Sequence, residues 1–161
     1  LTIVDVEDAF QVLVALERLA APLVCNRITD SEIAMIEELQ TLMTAHFEAG
    51  RLMEYFRCNQ TIHQAIVDAS GNKRLVQLYR SESGRIQRYR YAGNEEGSRW
   101  RRAIKEHEQI LDAIRNRNAE VLEALLSSHL MAGWYVVKAR IVAESEAQLQ
   151  LRGKGRRRAT R

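Results

Sequence analysis

A chain of 161 residues, 46% hydrophobic and 28% charged, can bury one core without covalent staples, and its two cysteines, Cys25 and Cys58, build no disulfide framework. No apolar run approaches the roughly 20 residues that cross a bilayer, and no signal peptide is evident, so the expectation is a cytoplasmic domain with small buried thiols in a reducing compartment. The net charge of +3 is uneven: residues 152–161, RGKGRRRATR, hold six of the 24 basic residues and no acid, which leaves 18 basic against 21 acidic residues, or −3, in the body. A folded surface that gripped nucleic acid would carry a basic excess, so any contact with DNA is expected elsewhere.

Residues 1–4 read as the end of a linker, and Leu1 implies that something natural precedes it. From Asp5 to about Asn26, Val6, Phe10, Leu13, Leu16, Ala20 and Val24 recur with helical period. Pro22 lacks a backbone donor and is expected to kink or end that helix. Thr29-Asp30-Ser31-Glu32 has the form of a capping box opening a second helix to about Ala49, where Gly50 suits the left-handed position past its end. A third helix runs to about Ala69, and Gly71 and Asn72 end it and cap the next.

Helix four, about Lys73 to Tyr91, is rich in arginine, and the expected inward stripe is Leu75, Leu78, Glu82, Arg85 and Tyr89. Residues 92–97 read as a loop, with Ser98 capping helix five. Asn116-Arg117-Asn118 is the next turn, with Asn118 capping a long last helix to roughly Gln148. A polar, basic tail over 150–161 is expected to stay disordered. No strand pattern and no repeat is evident, so the fold class expected is all-α, a mostly antiparallel bundle.

Three of the four histidines fall on apolar helical stripes. Phe56, Asn59, His63 and Ile66 share one face, Trp100, Ala103, His107, Leu111 and Ile114 a second, and Leu122, Leu125, His129 and Val136 a third. Burying an imidazole without a partner costs about 1–3 kcal/mol, so three need either separate partners or one shared cation. Neutral imidazoles suit Zn, Ni, Mn or Fe, and Asn59 adds an uncharged carbonyl oxygen, leaving a positive centre suited to an anionic ligand. His46 is expected in solvent. Arg85 can snorkel outward, pair with Glu82, or clamp a carboxylate in a pocket. Glu106 adjoins His107 but points about 100° away on a helix, a poor position for a general base, and no nucleophile with base and orienting partner can be assembled.

The segments ALERLAAPLVCNRITDSEIAMIEEL, FRCNQTIHQAIVDASGN, KEHEQILDAI and SSHL, in this order and spacing, resemble the FCD domain, the C-terminal ligand-sensing domain of the FadR branch of GntR-type bacterial transcription regulators. The resemblance covers about residues 5–145 and implies a bundle of six to seven helices. It also implies that Asn59, His63, His107 and His129 are the ligands of a divalent metal ion (Zn, Ni or Mn). An arginine often stands where this chain has Val14, so one usual carboxylate contact is missing.

The resulting expectation is that residues 5–149 form an effector-binding and homodimerisation domain, not an enzyme. Its ligand is a small carboxylate held with the help of Arg85, and it has no membrane partner. Operator DNA is contacted only through an N-terminal winged helix-turn-helix module absent from these residues. A metal-dependent hydrolase using the same histidines and an inert helical interaction module are the alternatives.

Overall fold

The computed structural model describes the backbone of residues 1–93 and 97–159 and the side chains of residues 1–91 and 99–147. Helical periodicity becomes six α-helices: α1 (Ile3–Arg27), α2 (Asp30–Glu48), α3 (Leu52–Ala69), α4 (Lys73–Gly93), α5 (Gly97–Arg115) and α6 (Ala119–Ala159). No strand occurs among the described residues.

Local chemistry sets most of the boundaries. The Thr29 hydroxyl accepts from the Glu32 amide while the Glu32 carboxylate accepts from the Thr29 amide, the expected capping box. Gly50 and Gly71 adopt φ of 66° and 65°, where a β-carbon is strained. Asn72 Oδ1 accepts from the amides of Arg74 and Leu75, and Asn118 Oδ1 from that of Val121, so both asparagines cap as expected. Arg117, in the left-handed region at φ 49°, donates to the Cys25 and Ile28 carbonyls and ties the α5–α6 turn to the end of α1.

Helix α1 lies along α6 and α2 along α3, with α4 against α1, α3 and α6, and α5 against α2 and α6. The core between them holds Phe10, Leu13, Tyr55, Ile66, Tyr79, Ile86 and Trp134, all essentially inaccessible to water. Cys25 is buried, Cys58 half-buried, and both are free thiols. None of the described helices is long and apolar enough to cross a membrane.

Four expectations shift. The first helix starts at Ile3, inside the stretch read as a linker, because Thr2 and Asp5 form a second capping box. Pro22 does not end α1, which continues to Arg27; so near a helix end the missing donor forfeits a single bond. Helix α4 continues to Gly93, and residues 94–96 of the expected loop, like the side chain of Ser98, lie outside the described residues. The backbone of α6 stays helical to Ala159, past Gln148 and through most of the stretch read as disordered. That stretch contains no proline, and basic residues favour the negative end of a helix.

Candidate metal centre

His63 on α3, His107 on α5 and His129 on α6 are all buried, and the three helices bring their rings together. Ring centroids lie 5.1 Å apart for His63 and His107, 4.9 Å for His63 and His129, and 4.7 Å for His107 and His129. One ring nitrogen from each lies within 4.8 Å of the others. Asn59, one turn before His63, is also buried, and its Oδ1 has no hydrogen-bond partner. The sequence stripes therefore converge on one place.

Two carboxylates stand behind the rings. Glu17 of α1, wholly buried, accepts from His63 Nδ1 at 2.9 Å and from the Tyr79 hydroxyl at 2.7 Å. Glu106 of α5 accepts from His129 Nδ1 at 2.6 Å and from Arg99 at 2.8 Å. A carboxylate on Nδ1 fixes the proton there and turns the lone pair of Nε2 inward. His63 Nε2 is left buried without a partner, and His129 Nε2 faces His107 Nε2 at 3.3 Å. With His129 as acceptor, His107 donates across that contact, which leaves its Nδ1 as the unpaired acceptor. Burial, then the positive charge of neighbouring histidines and arginines, holds His107 and His129 well below the usual imidazole range. Both imidazoles are therefore neutral at pH 7.

This donor set fits a divalent ion. Two imidazole nitrogens bound to one tetrahedral ion at about 2.0–2.1 Å stand about 3.3 Å apart, the spacing of His107 Nε2 and His129 Nε2, a geometry open to a cation once the His107 proton moves to Nδ1. The unpaired atoms His63 Nε2 and Asn59 Oδ1 are buried acceptors that a cation satisfies, and carboxylates behind metal-binding imidazoles raise their basicity.

Beside the cluster lies a cavity of about 30 Å³, room for one or two water molecules. Its lining mixes polar residues, Arg90, Arg99, Asn59, His129 and Tyr55, with apolar ones, Phe10, Ala103, Leu130, Gly133 and Val137. Arg99 is buried, donates to Glu106 and to the His129 carbonyl, and its Nε has no partner. Arg90 is buried and donates to Ser83.

Arg85 does not reach this cavity. Its side chain is 53% exposed and donates to Glu82 at 3.2 Å. The inward stripe of α4 is Leu75, Tyr79, Ile86 and Arg90, rotated by one residue from the stripe read in the sequence. Sequence reasoning also missed Glu17. Phe10, Leu13, Glu17, Ala20 and Val24 are spaced 3, 4, 3 and 4, and all five are buried, so a carboxylate on the apolar stripe was the available signal. Glu106 was weighed only as a base for its neighbour His107, whereas it serves His129 across the helix interface.

The FCD domain family matches residues 8–132. An uncharacterised HTH-type transcriptional regulator, YdhC of Bacillus subtilis (strain 168), is 26% identical over 130 residues, covering 80% of this chain and 58% of its own. McbR/YncC of E. coli superposes with a TM-score of 0.78 at 16% identity, over 84% of this chain and 65% of that one. GntR of Streptococcus agalactiae gives 0.65 at 21% identity, over 81% and 58%. The chain thus spans about three fifths of the length of these relatives, and the two structural likenesses speak to the fold. With four fifths of its helical body matched, the chain belongs to the FCD domain family, the all-α ligand-sensing part of GntR-type transcription regulators and not an enzyme.

Proposed function

We propose that this chain is the effector-sensing and dimerisation half of a cytoplasmic GntR-type regulator. In this reading His63, His107, His129 and Asn59 hold one divalent ion, Zn, Ni or Mn, and a small organic acid binds beside it. The observation that carries the reading is the pair of carboxylates, Glu17 fully buried and Glu106 half-buried, aligning two of three clustered histidines. Each histidine already has one hydrogen-bond partner, yet the buried acceptors His63 Nε2 and Asn59 Oδ1, which face the cluster from one turn of α3, have none.

The bound ion supplies positive charge and open positions for an acid oxygen. Arg90 and Arg99 add fixed charge from the cavity wall, and the apolar residues of the lining limit water, which strengthens both contacts. At about 30 Å³ the cavity is smaller than an organic acid, so binding favours a more open arrangement of α1, α5 and α6 over this one. In a homodimer carrying an N-terminal winged-helix module on each chain, that shift changes the spacing of two DNA-reading helices.

Among the described residues, a hydrolase built on the same ligands finds the carboxylates at the cluster already engaged, Glu17 by His63 and Tyr79. Glu106 already accepts from both His129 and Arg99.

The test is metal content and stability. Purified chain stripped with chelator takes up one equivalent of Zn, Ni or Mn and melts at a higher temperature; His107→Ala and His129→Ala do neither. A parent chain that takes up no metal by elemental analysis, and is not stabilised by any of the three ions, removes the metal from this reading.

A further inference from the structure

Glu17 and Glu106 stand behind two of the rings in the same way, but they are held differently. Glu17 is wholly buried and accepts from both the Tyr79 hydroxyl and His63 Nδ1, so water offers it no alternative. The side chain of Glu106 is 21% exposed, and from α5 it reaches across to α6 to meet His129 Nδ1. A glutamate at the edge of water loses rotamer freedom in that position and regains it by swinging out. Its place behind His129 therefore needs a support that Glu17 does without.

Arg99 is placed to give it. It stands seven residues before Glu106, about two turns earlier on the same helix, and is buried. Two costs oppose a guanidinium there: the burial of its charge, and the positive end of α5, which begins at Gly97. What offsets them is a pair of contacts with one target. Arg99 Nη1 donates at 2.8 Å to Glu106 Oε2, the same oxygen that accepts from His129 Nδ1, and Nη2 donates at 3.2 Å to the backbone carbonyl of His129. Guanidinium, carboxylate and histidine thus close a ring that fixes His129 at its backbone and at its imidazole. Arg102 supplies a contrast. It lies 3.4 Å from the other oxygen, Oε1, with its own side chain 61% exposed, a contact of the kind that contributes little.

Resting on the metal reading above, we propose that Arg99 is a positioning residue for the metal centre, acting through Glu106. It does not touch the ion; it holds the carboxylate on His129 Nδ1, so that His129 Nε2 stays turned toward His107. Lysine cannot take its place, because a single ammonium on a flexible stem lacks the planar fork that spans carboxylate and carbonyl together.

The Zn affinity of the full 161-residue chain, read by competition with a chelator dye, tests this in a cycle of variants. Arg99→Gln and Glu106→Gln are each expected to bind Zn about tenfold more weakly than the parent, or worse. The double variant binds no more than about twofold more weakly than Glu106→Gln alone, because the two residues act as one unit. Arg102→Gln stays within about twofold of the parent, and Arg99→Lys is weakened like Arg99→Gln. Loaded with Co as a coloured substitute for Zn, Arg99→Gln and Glu106→Gln share one visible absorption spectrum, distinct from that of the parent and of Arg102→Gln. Such a change reports the geometry of the ligands, which a loss of stability alone does not alter.

Parent-like affinity in folded Arg99→Gln overturns the proposal, and so do effects of Arg99→Gln and Glu106→Gln that multiply in the double variant. Where Arg99→Gln does not fold, Arg99→Lys takes its place in the cycle and the same outcomes decide. Failure of both to fold makes Arg99 a residue of the fold and equally overturns its positioning role. In each of these cases the metal reading stands, whereas a parent chain that takes up no metal overturns both.

Discussion

Glu17 connects three helices through one side chain, accepting from His63 on α3 and Tyr79 on α4 while rooted in α1. Replacing it by glutamine keeps an acceptor oxygen and nearly the same volume but removes the charge. The expected result is a metal affinity about 10–100-fold lower with little change in unfolding free energy, measured by competition with a chelator dye and by urea titration. Glu17→Leu instead strands the Tyr79 hydroxyl and His63 Nδ1 and should cost about 1–3 kcal/mol of stability for each unpaired group. Tyr79 itself yields a pH effect. Burial, followed by the Glu17 carboxylate, holds its phenol well above the ordinary value near 10. The unfolded chain loses that proton near pH 10 while the native chain keeps it, so the native state binds more protons and stability falls as pH rises above about 10. Tyr79→Phe should flatten this alkaline loss by about 1.4 kcal/mol per pH unit relative to the parent, which urea titrations at pH 9, 10 and 11 would reveal; identical slopes would refute it. The clustering of His63, His107 and His129 beside Asn59 was legible in sequence because a polar group on an apolar stripe stands out. Glu17 was not, since Leu16 beside it also fits a helical period and was taken as the inward residue.

Helices as units were easier to read than their rotation. The turns at Gly50, Gly71 and Asn118 carry their own chemistry within a few residues, so the boundaries of α2, α3 and α5 came within one or two positions. Glycines 50 and 71 give a matched pair of tests. A β-carbon at Gly50 meets open space, whereas at Gly71 it lies 2.9 Å from Arg27 Cζ, the end of an exposed, flexible side chain. Because Arg27 can swing aside, alanine at either position should cost a similar amount, about 1–2 kcal/mol for the left-handed backbone alone, by thermal or urea unfolding. A much larger loss at Gly71 would show that Arg27 is held in place. The rotation of α4 was misread for a physical reason. Its mean character is polar, arginines occur on nearly every face, and a stripe through Leu78 and Arg85 is as regular as the true one through Tyr79, Ile86 and Arg90. What selects the true face is Glu17, which lies in a different helix and offers the Tyr79 hydroxyl an acceptor. Periodicity within one segment carries no such information.

For the molecule as a whole, charge sets what it can do alone. The body of the chain is mildly acidic and the basic residues 152–161 carry six positive charges. Anisotropy titrations with duplex DNA should show weak binding without sequence preference and a steep loss with added salt. Tight, sequence-selective binding by these 161 residues would contradict the assignment of DNA reading to another module. Relatives about 1.3 to 1.4 times as long are consistent with such a module, since the matched part of this chain covers only 58% to 65% of them. The two tryptophans have a practical bearing on all of these measurements. Trp100 stacks on Tyr55 with ring centroids 4.7 Å apart, and Trp134 packs against Phe10 at 5.3 Å. Tyr55 and Phe10 are themselves part of the cavity wall. The chain has no other tryptophan, so all of its indole emission arises one residue away from the cavity. An unlabelled sample excited near 295 nm is thereby its own optical gauge of the cavity, and Trp100→Phe and Trp134→Phe divide the signal between the walls at Tyr55 and at Phe10.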